Sequence, residues 1–268
     1  MILFPNCKIN LGLNIIGKRS DGYHDLETIF YPIPLNDIIE VITSDTFQFK
    51  TSGLQLPGKD ESNLCVRAYE LLKEDFPVLQ SLYMHLHKHI PVGGGLGGGS
   101  ADGAFMLKLL NDKFNLGLST EQLLNYSLQL GSDCPFFILN KVCVANGRGE
   151  LLEPVQLDLS GYSLALIHPG IHINTAWAFS KIIPSQPAKP VQKIILQPIA
   201  RWRSELVNDF EEPVFTEYPH LKIIKEKLYE AGAIYASMTG SGSSLYGIFP
   251  EKPIHLSKTF NNYDLTFI

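Results

Sequence analysis

Cysteine is scarce and scattered. The four copies, Cys7, Cys65, Cys134 and Cys143, form no C-x-x-C pair and no tight cluster. That argues against a structural zinc site and against a disulfide framework, and leaves them as small, reduced core residues. Charge is also thin, at 18% of residues with a net of −5. A broad surface for nucleic acid or anionic lipid is not expected from such a balance. No run approaches the roughly 20 apolar residues of a membrane span. The opening residues, Met1-Ile2-Leu3-Phe4-Pro5-Asn6-Cys7-Lys8, have neither a basic segment nor a long apolar one. No signal peptide is expected, and the expected location is the cytoplasm. Internal repeats and low-complexity tails are missing too.

What is present is a chain of 268 residues, 45% hydrophobic, enough for one large domain or two modest ones. The pattern restarts past Gly149, so the expected division is residues 1–150 and 151–268. The most telling segment is Pro91-Val92-Gly93-Gly94-Gly95-Leu96-Gly97-Gly98-Gly99-Ser100, six glycines in seven positions before a serine. Each glycine loses roughly 0.5–1 kcal/mol of chain entropy on ordering. Such a run persists where backbone needs positive φ or very close approach to a ligand. Bare amides converging ahead of a helix N-terminus suit a phosphate chain.

The local pattern places that run between a strand and a helix. Alternation over Ile9–Ile16, Asp37–Phe49 and Leu82–Ile90 predicts strands, and Gly17–His24 a loop. Ser62 or Asn63 is expected to cap a helix carrying Leu64, Ala68, Leu71 and Leu72. Another helix is expected to start at Ser100. Ser119 with Gln122 forms a capping-box pattern, and that helix ends near Gly131. Strands are expected at Val142–Ala145, Tyr162–Ile167, Ala233–Met238 and Leu245–Phe249. Helices are expected over Thr175–Ile182, Trp202–Phe210 and His220–Ala231, with an irregular linker over Pro184–Pro198.

The residues alone leave several roles open. Gly93-x-Gly95-x-x-Gly98 matches a dinucleotide fingerprint, but it sits far from a first βα unit and lacks the acidic residue about 20 positions on. No lysine follows the run, so it is not a Walker A loop either. A second turn, Thr239-Gly240-Ser241-Gly242-Ser243-Ser244, is either a tight turn or another wall of a phosphate cleft. Asp133, just before Cys134-Pro135, fits a helix N-cap better than a catalytic group on local grounds. Lys8 is either solvated or turned inward on its strand. His85, His87 and His89 share a strand face, and same-face neighbours converge poorly on a tetrahedral ion, so an exposed or stacked face is expected. Tyr23-His24 is either a packing anchor or a surface for stacking on a base.

Taken together, the glycine run, Lys8-Ile9-Asn10-Leu11, Gly22-Tyr23-His24, Asn63-Leu64, Leu130-Gly131-Ser132-Asp133-Cys134-Pro135-Phe136-Phe137, His168-Pro169-Gly170 and Thr239-Gly240-Ser241-Gly242 resemble the GHMP kinase superfamily, in order and over nearly the whole chain. The resemblance implies an α+β, two-domain fold. Its N-terminal part would be a mixed α/β domain (ribosomal-protein-S5-domain-2-like), its C-terminal part a ferredoxin-like α+β domain. It also implies an ATP-dependent kinase with Mg²⁺, acting on a small-molecule alcohol. The closest pattern is for a cytidyl diphosphate sugar alcohol of non-mevalonate isoprenoid synthesis, with no nucleic-acid, membrane or protein partner. Asp133 would be the base and Lys8 its electrostatic partner. Pro91, Val92, Gly93, Gly94, Gly95, Leu96, Gly97, Gly98, Gly99, Ser100 and Ala101 would hold the ATP phosphates, and Asn63 would lie near the adenosine. Asn10, Tyr23, His24, Thr175, Phe179, Gly240, Ser241 and Gly242 would line the acceptor site, Tyr23 and His24 against the base and Phe179 as its opposite wall. No protein ligand for the metal is assigned, the ion being carried by ATP with Ser100 the one hydroxyl in view. Ala101 and Asp102 depart from the usual Ser-Asn of the loop; Asp102 in the first helical turn would face the phosphates. A kinase for another alcohol and a non-catalytic nucleotide or sugar binder remain alternatives, with hydride transfer a distant one.

Overall fold

Asn6–Lys18, buried continuously from Cys7 to Ile15, and His24–Asn36, buried over part of its length, form two strands of thirteen residues each. The computed structural model describes residues 1–268. The chain forms two compact units that interleave in sequence. The first comprises Met1–Lys8, Pro32–Val92 and Gly97–Lys141, and the second comprises Ile9–Tyr31, Gly93–Leu96 and Val142–Ile268.

The first unit is built on a four-stranded sheet in the order Ile2–Leu3, Ile38–Thr43, Leu82–Lys88, Gln48–Gly53. Only the pair Gln48–Gly53 with Leu82–Lys88 is parallel. The connection between them contains the helix Leu64–Asp75, as a parallel crossover requires. Asn63 caps this helix by accepting from the Cys65 N–H at 2.9 Å. Its buried stripe of Cys65, Val66, Ala68, Tyr69 and Leu72 has helical spacing. The helix Gly98–Phe114 is buried on almost every side, which its small residues Ala101, Gly103 and Ala104 permit. Ser119 and Gln122 form both bonds of the capping box on Thr120–Leu130.

The second unit holds an antiparallel sheet in the order Tyr235–Met238, Leu245–Phe249, Ser163–His168, Asp264–Phe267. It packs on the helix Pro219–Glu230 through a core that includes Ile167, Leu221, Ile224, Leu228, Ala236 and Phe249. A second sheet orders Asn6–Lys18, His24–Asn36, Cys143–Gly147 and Leu151–Pro154; the ends of its two long strands run into the first unit. Strands and helices are mixed without a continuous parallel sheet, so the fold is α+β.

Several elements differ from the sequence expectation. The glycine-loop helix starts at Gly98 with Gly97 as its cap residue, two positions before Ser100. Trp202–Phe210 is helical only over Trp202–Glu205, and a new helix begins at Glu211. The break is made by Asn208, whose Nδ2 donates to the carbonyls of Met238 at 2.8 Å and Gly240 at 2.9 Å. Gly131 closes its helix at φ 170°, which is extended, not left-handed.

The earlier helix start also moves Asp102. It becomes the fifth residue of the helix and is buried, facing Lys88 in place of the phosphates. Lys88 Nζ donates to Asp102 Oδ2 at 2.8 Å and, closer still, to Asp37 Oδ2. Burial penalises the ammonium, but the two carboxylates outweigh that and raise its pKa. Burial, opposed by Lys88 and reinforced by repulsion from Asp37, pushes the Asp102 carboxyl from 3.8 up to about 8. A folded pKa above the unfolded one gives stability that is complete below about 3.8 and lost as pH rises towards about 8. Urea unfolding across this range should therefore show Asp102→Asn gaining on the wild type as pH increases. A stability difference that does not change with pH would mean that Asp102 is ionised throughout.

Candidate functional site

In the first unit, Lys8 lies on the strand Asn6–Lys18 and is 3% exposed. Its Nζ is 3.7 Å from Asp133 Oδ2, whose side chain is 35% exposed. Burial lowers the Lys8 pKa and the Asp133 carboxylate partly restores it. Asp133 occupies the position before the helix Cys134–Leu139, yet with φ −84° and ψ −15° it is already helical, and its side chain makes no capping hydrogen bond. Pro135 starts that helix without help. The carboxylate is thus directed to Lys8 and to solvent, which removes the local reason for reading it as a cap.

The helix Gly98–Phe114 begins with bare backbone. Its first intrahelical bond runs from the Ala101 N–H to the Gly97 carbonyl at 2.9 Å, so the N–H groups of Gly98, Gly99 and Ser100 precede it. No side chain caps them, and no acidic residue lies in the first turn. Seventeen residues of aligned peptide dipoles end there, an arrangement that favours an anion. A Cβ added at Gly99 would meet nothing within 4 Å, so this position borders open space. Under the neighbouring turn, a Cβ on Gly97 would come within 3.2 Å of Lys8 Cε. Burial pushes the Cys134 thiol up to about 12, with the Ser100 hydroxyl opposing the rise and Asp133 adding to it. No three His, Cys, Asp or Glu side chains are grouped to hold a metal ion.

In the second unit, Gly93–Leu96 is bound to the turn Thr239–Ser244. The Ser244 N–H donates to the Gly94 carbonyl, and the Thr239 hydroxyl to the Gly95 carbonyl, both at 3.2 Å. Gly95 has φ +77°, and a Cβ there would stand 2.1 Å from the Thr239 carbonyl oxygen. Asn10 holds the same turn: its Oδ1 accepts from the Gly240 N–H at 3.0 Å and the Thr239 hydroxyl at 3.2 Å. Its Nδ2 donates to Thr28 at 3.1 Å, and the residue is 1% exposed. Asn10 therefore supports the turn through its amide oxygen, while its Nδ2 ties it to the neighbouring strand at Thr28. His168 Nδ1 lies 3.1 Å from Ser244 Oγ, and burial lowers the imidazole pKa against a smaller pull from Asp264.

Aromatic groups of the second unit gather around His24. Its ring stacks on Phe179 at 4.9 Å with an interplanar angle of 21°, and Phe179 meets Phe210 edge-on. Burial, with Lys18 nearby, lowers the His24 pKa, so the imidazole is neutral near pH 7. Direct stacking leaves no gap between His24 and Phe179 for a base, so these two are not the opposing walls that the sequence suggested. Tyr23 is exposed, with the Arg148 guanidinium 4.7 Å above its ring. Thr175 and Ser241 share a hydroxyl contact at 3.2 Å. Asn63 is committed to its cap. His85 Nε2 and His87 Nδ1 each lie 2.9 Å from Ser52 Oγ, and His89 falls beyond the strand.

Two family models match this chain: the GHMP kinases N terminal domain over residues 63–141 and the GHMP kinases C terminal over residues 194–256. A 4-diphosphocytidyl-2-C-methyl-D-erythritol kinase of Bacteroides fragilis is 53% identical over 259 residues, 95% of this chain and 94% of that one. One of Cytophaga hutchinsonii is 50% identical, covering 94% of each chain. The chain belongs to the GHMP kinases, in the 4-diphosphocytidyl-2-C-methyl-D-erythritol kinase family. A crystal structure of 4-(cytidine 5'-diphospho)-2C-methyl-D-erythritol kinase superposes with TM-score 0.86 at 29% identity, covering 100% of this chain and 98% of the other. The mevalonate kinase of Methanococcus jannaschii shares the fold, with TM-score 0.73 at 15% identity.

As a GHMP kinase the chain is a phosphotransferase that takes ATP as donor and an alcohol as acceptor. Sequence reading of this kinase missed Asn208, and missed Asp37 and Lys88 as the buried partners of Asp102. A buried lysine two residues before Ile90 was the available signal for the last, since lysine is rarely buried unless paired. Two glycines of the kinase's loop should part company on substitution. Gly95→Ala should lose about 1–3 kcal/mol of stability from left-handed strain, before any clash. Gly99→Val should keep its melting temperature but raise the KM for ATP, because its side chain enters open space at the helix start. Thermal melts and ATP titration of both variants give the comparison; equal destabilisation would mean that Gly99 is structural.

Proposed function

We propose that the chain transfers the γ-phosphoryl group of ATP to the 2-hydroxyl of 4-diphosphocytidyl-2-C-methyl-D-erythritol, a step of non-mevalonate isoprenoid synthesis in the cytoplasm. The observation that carries this reading is Asp133, uncapped and facing the buried Lys8, in a chain about half identical to kinases named for that compound. No helix is long and apolar enough to cross a membrane. The matched regions fall on either side of residue 150, in keeping with kinase domains over 1–150 and 151–268, although the second compact unit also takes in Ile9–Tyr31, Gly93–Leu96 and the stretch from Val142.

Phosphoryl transfer depends on alignment and on neutralising charge, with little covalent work for the protein. The amides of Gly98, Gly99 and Ser100 at the helix start bind phosphate oxygens and hold the terminal group in line. The acceptor oxygen bonds to the γ-phosphorus as the bridging P–O bond breaks, and ADP leaves with that electron pair. The acceptor proton passes to the Asp133 carboxylate as the new bond forms. Lys8 favours the ionised carboxylate and offsets negative charge on the moving group. Mg²⁺ accompanying the nucleotide would neutralise part of the triphosphate charge. Tyr23 and His24 bind the cytosine by stacking, the base lying on the face of His24 turned away from Phe179, which backs the imidazole.

Asp133→Asn should keep the fold and ATP affinity yet lose about 10²-fold or more in kcat. Turnover close to wild type would return Asp133 to a structural part. The depressed Lys8 pKa predicts that activity falls on the alkaline side below the ordinary lysine value of 10.5. Lys8→Met should remove that limb from the pH–rate profile together with most of the rate, and a profile unchanged in shape would exclude Lys8. Tyr23→Ala should weaken acceptor affinity by about 1–3 kcal/mol, the worth of one stacked base, and spare ATP. KM values for both substrates decide it, and a parallel rise in the two would indicate misfolding of the loop.

A further inference from the structure

The two ends of the glycine loop, both in the first unit, are fastened by one buried cluster. Asp37, immediately before the strand Ile38–Thr43, is completely buried. Its Oδ1 accepts from the His89 N–H at 2.6 Å and from the Ile90 N–H at 2.9 Å, the last two residues ahead of Pro91. Its Oδ2 accepts from Lys88 Nζ. The same ammonium donates to Asp102 Oδ2 at 2.8 Å, on the helix that follows the loop. A Cβ placed on Gly98 would lie 3.3 Å from Lys88 Nζ, so the ammonium sits directly beneath the first helical turn. Asp102 Oδ1 is buried with no hydrogen-bond partner.

This arrangement is expensive as a means of stability. Three ionisable groups in a core, one with an unsatisfied oxygen, cost more than apolar residues of the same volume would. What the cluster supplies is geometry: the strand end and the helix start are tied to a single ammonium, and the bare amides of Gly98, Gly99 and Ser100 follow from where that helix begins. The charge also lies close under those amides. We infer that Asp37, Lys88 and Asp102 are positioning residues for the phosphoryl donor, presetting the amide cradle that receives the ATP phosphates. The inference rests on the reading that this helix start binds ATP. None of the three residues touches the nucleotide; they act through the backbone of residues 89–90 and 98–100.

Steady-state kinetics on Asp102→Leu, Asp102→Asn and Gly99→Val test it. Asp102→Leu severs the link to Lys88 and should raise the KM for ATP about tenfold or more, as slight misplacement of a binding group does. Its acceptor KM should stay near that of the wild type. Asp102→Asn keeps an acceptor oxygen for the ammonium and should restore the ATP KM. A folded Asp102→Leu protein with unchanged ATP KM, or with both KM values raised together, overturns the inference. Should the leucine variant fail to fold, Asp102→Ser supplies the same comparison with a smaller side chain. Gly99→Val separates the two levels. If it leaves the ATP KM unchanged, the phosphate site itself is wrongly placed; if it raises the KM and Asp102→Leu does not, only the positioning role fails.

Discussion

A helix that starts with unprotected amides must be held from below. The first turn of Gly98–Phe114 has no capping side chain and no carboxylate, so nothing local fixes where it begins. The contact that does is the Lys88 ammonium, held between Asp37 and Asp102 in the core. Everything proposed about phosphate binding depends on that start point. Moving it by two residues would turn Asp102 towards the open side, where its charge would oppose a phosphate.

The same economy governs the rest of the chemistry. Lys8 is buried and depends on Asp133 to retain its charge, whereas Asp133 keeps about a third of its side chain open to solvent. That asymmetry leaves the carboxylate partly open to solvent and the ammonium buried beside it. In the second unit, Asn10 uses its amide to hold Thr239 and Gly240, only two residues along the strand from Lys8. One strand thus supplies a charged group to one unit and a scaffold to the other.

Much of this was legible in the residues. The glycine run between strand and helix, the Asn63 cap and the Ser119–Gln122 box each carry their own local physics, and the cap and the box form where expected. Less legible were features set by distant partners. Nothing around Asn208 announces that its amide will seek the carbonyls of Met238 and Gly240 and so end a helix. Ser100 is a good helix-capping residue, and only the buried lysine, through Asp102, reveals that the helix starts earlier. His24 and Phe179 are 155 positions apart in sequence, and their mutual stacking cannot be inferred from either neighbourhood.

Two cysteines flank the Lys8–Asp133 ion pair in sequence: Cys7 precedes Lys8 and Cys134 follows Asp133. Both are buried, and burial is the main reason that both thiols are pushed up to about 12. At neutral pH almost none of either exists as thiolate, the form that reacts. Alkylating agents and oxidants should pass this centre without modifying it, so a covalent inhibitor would need to capture another nucleophile.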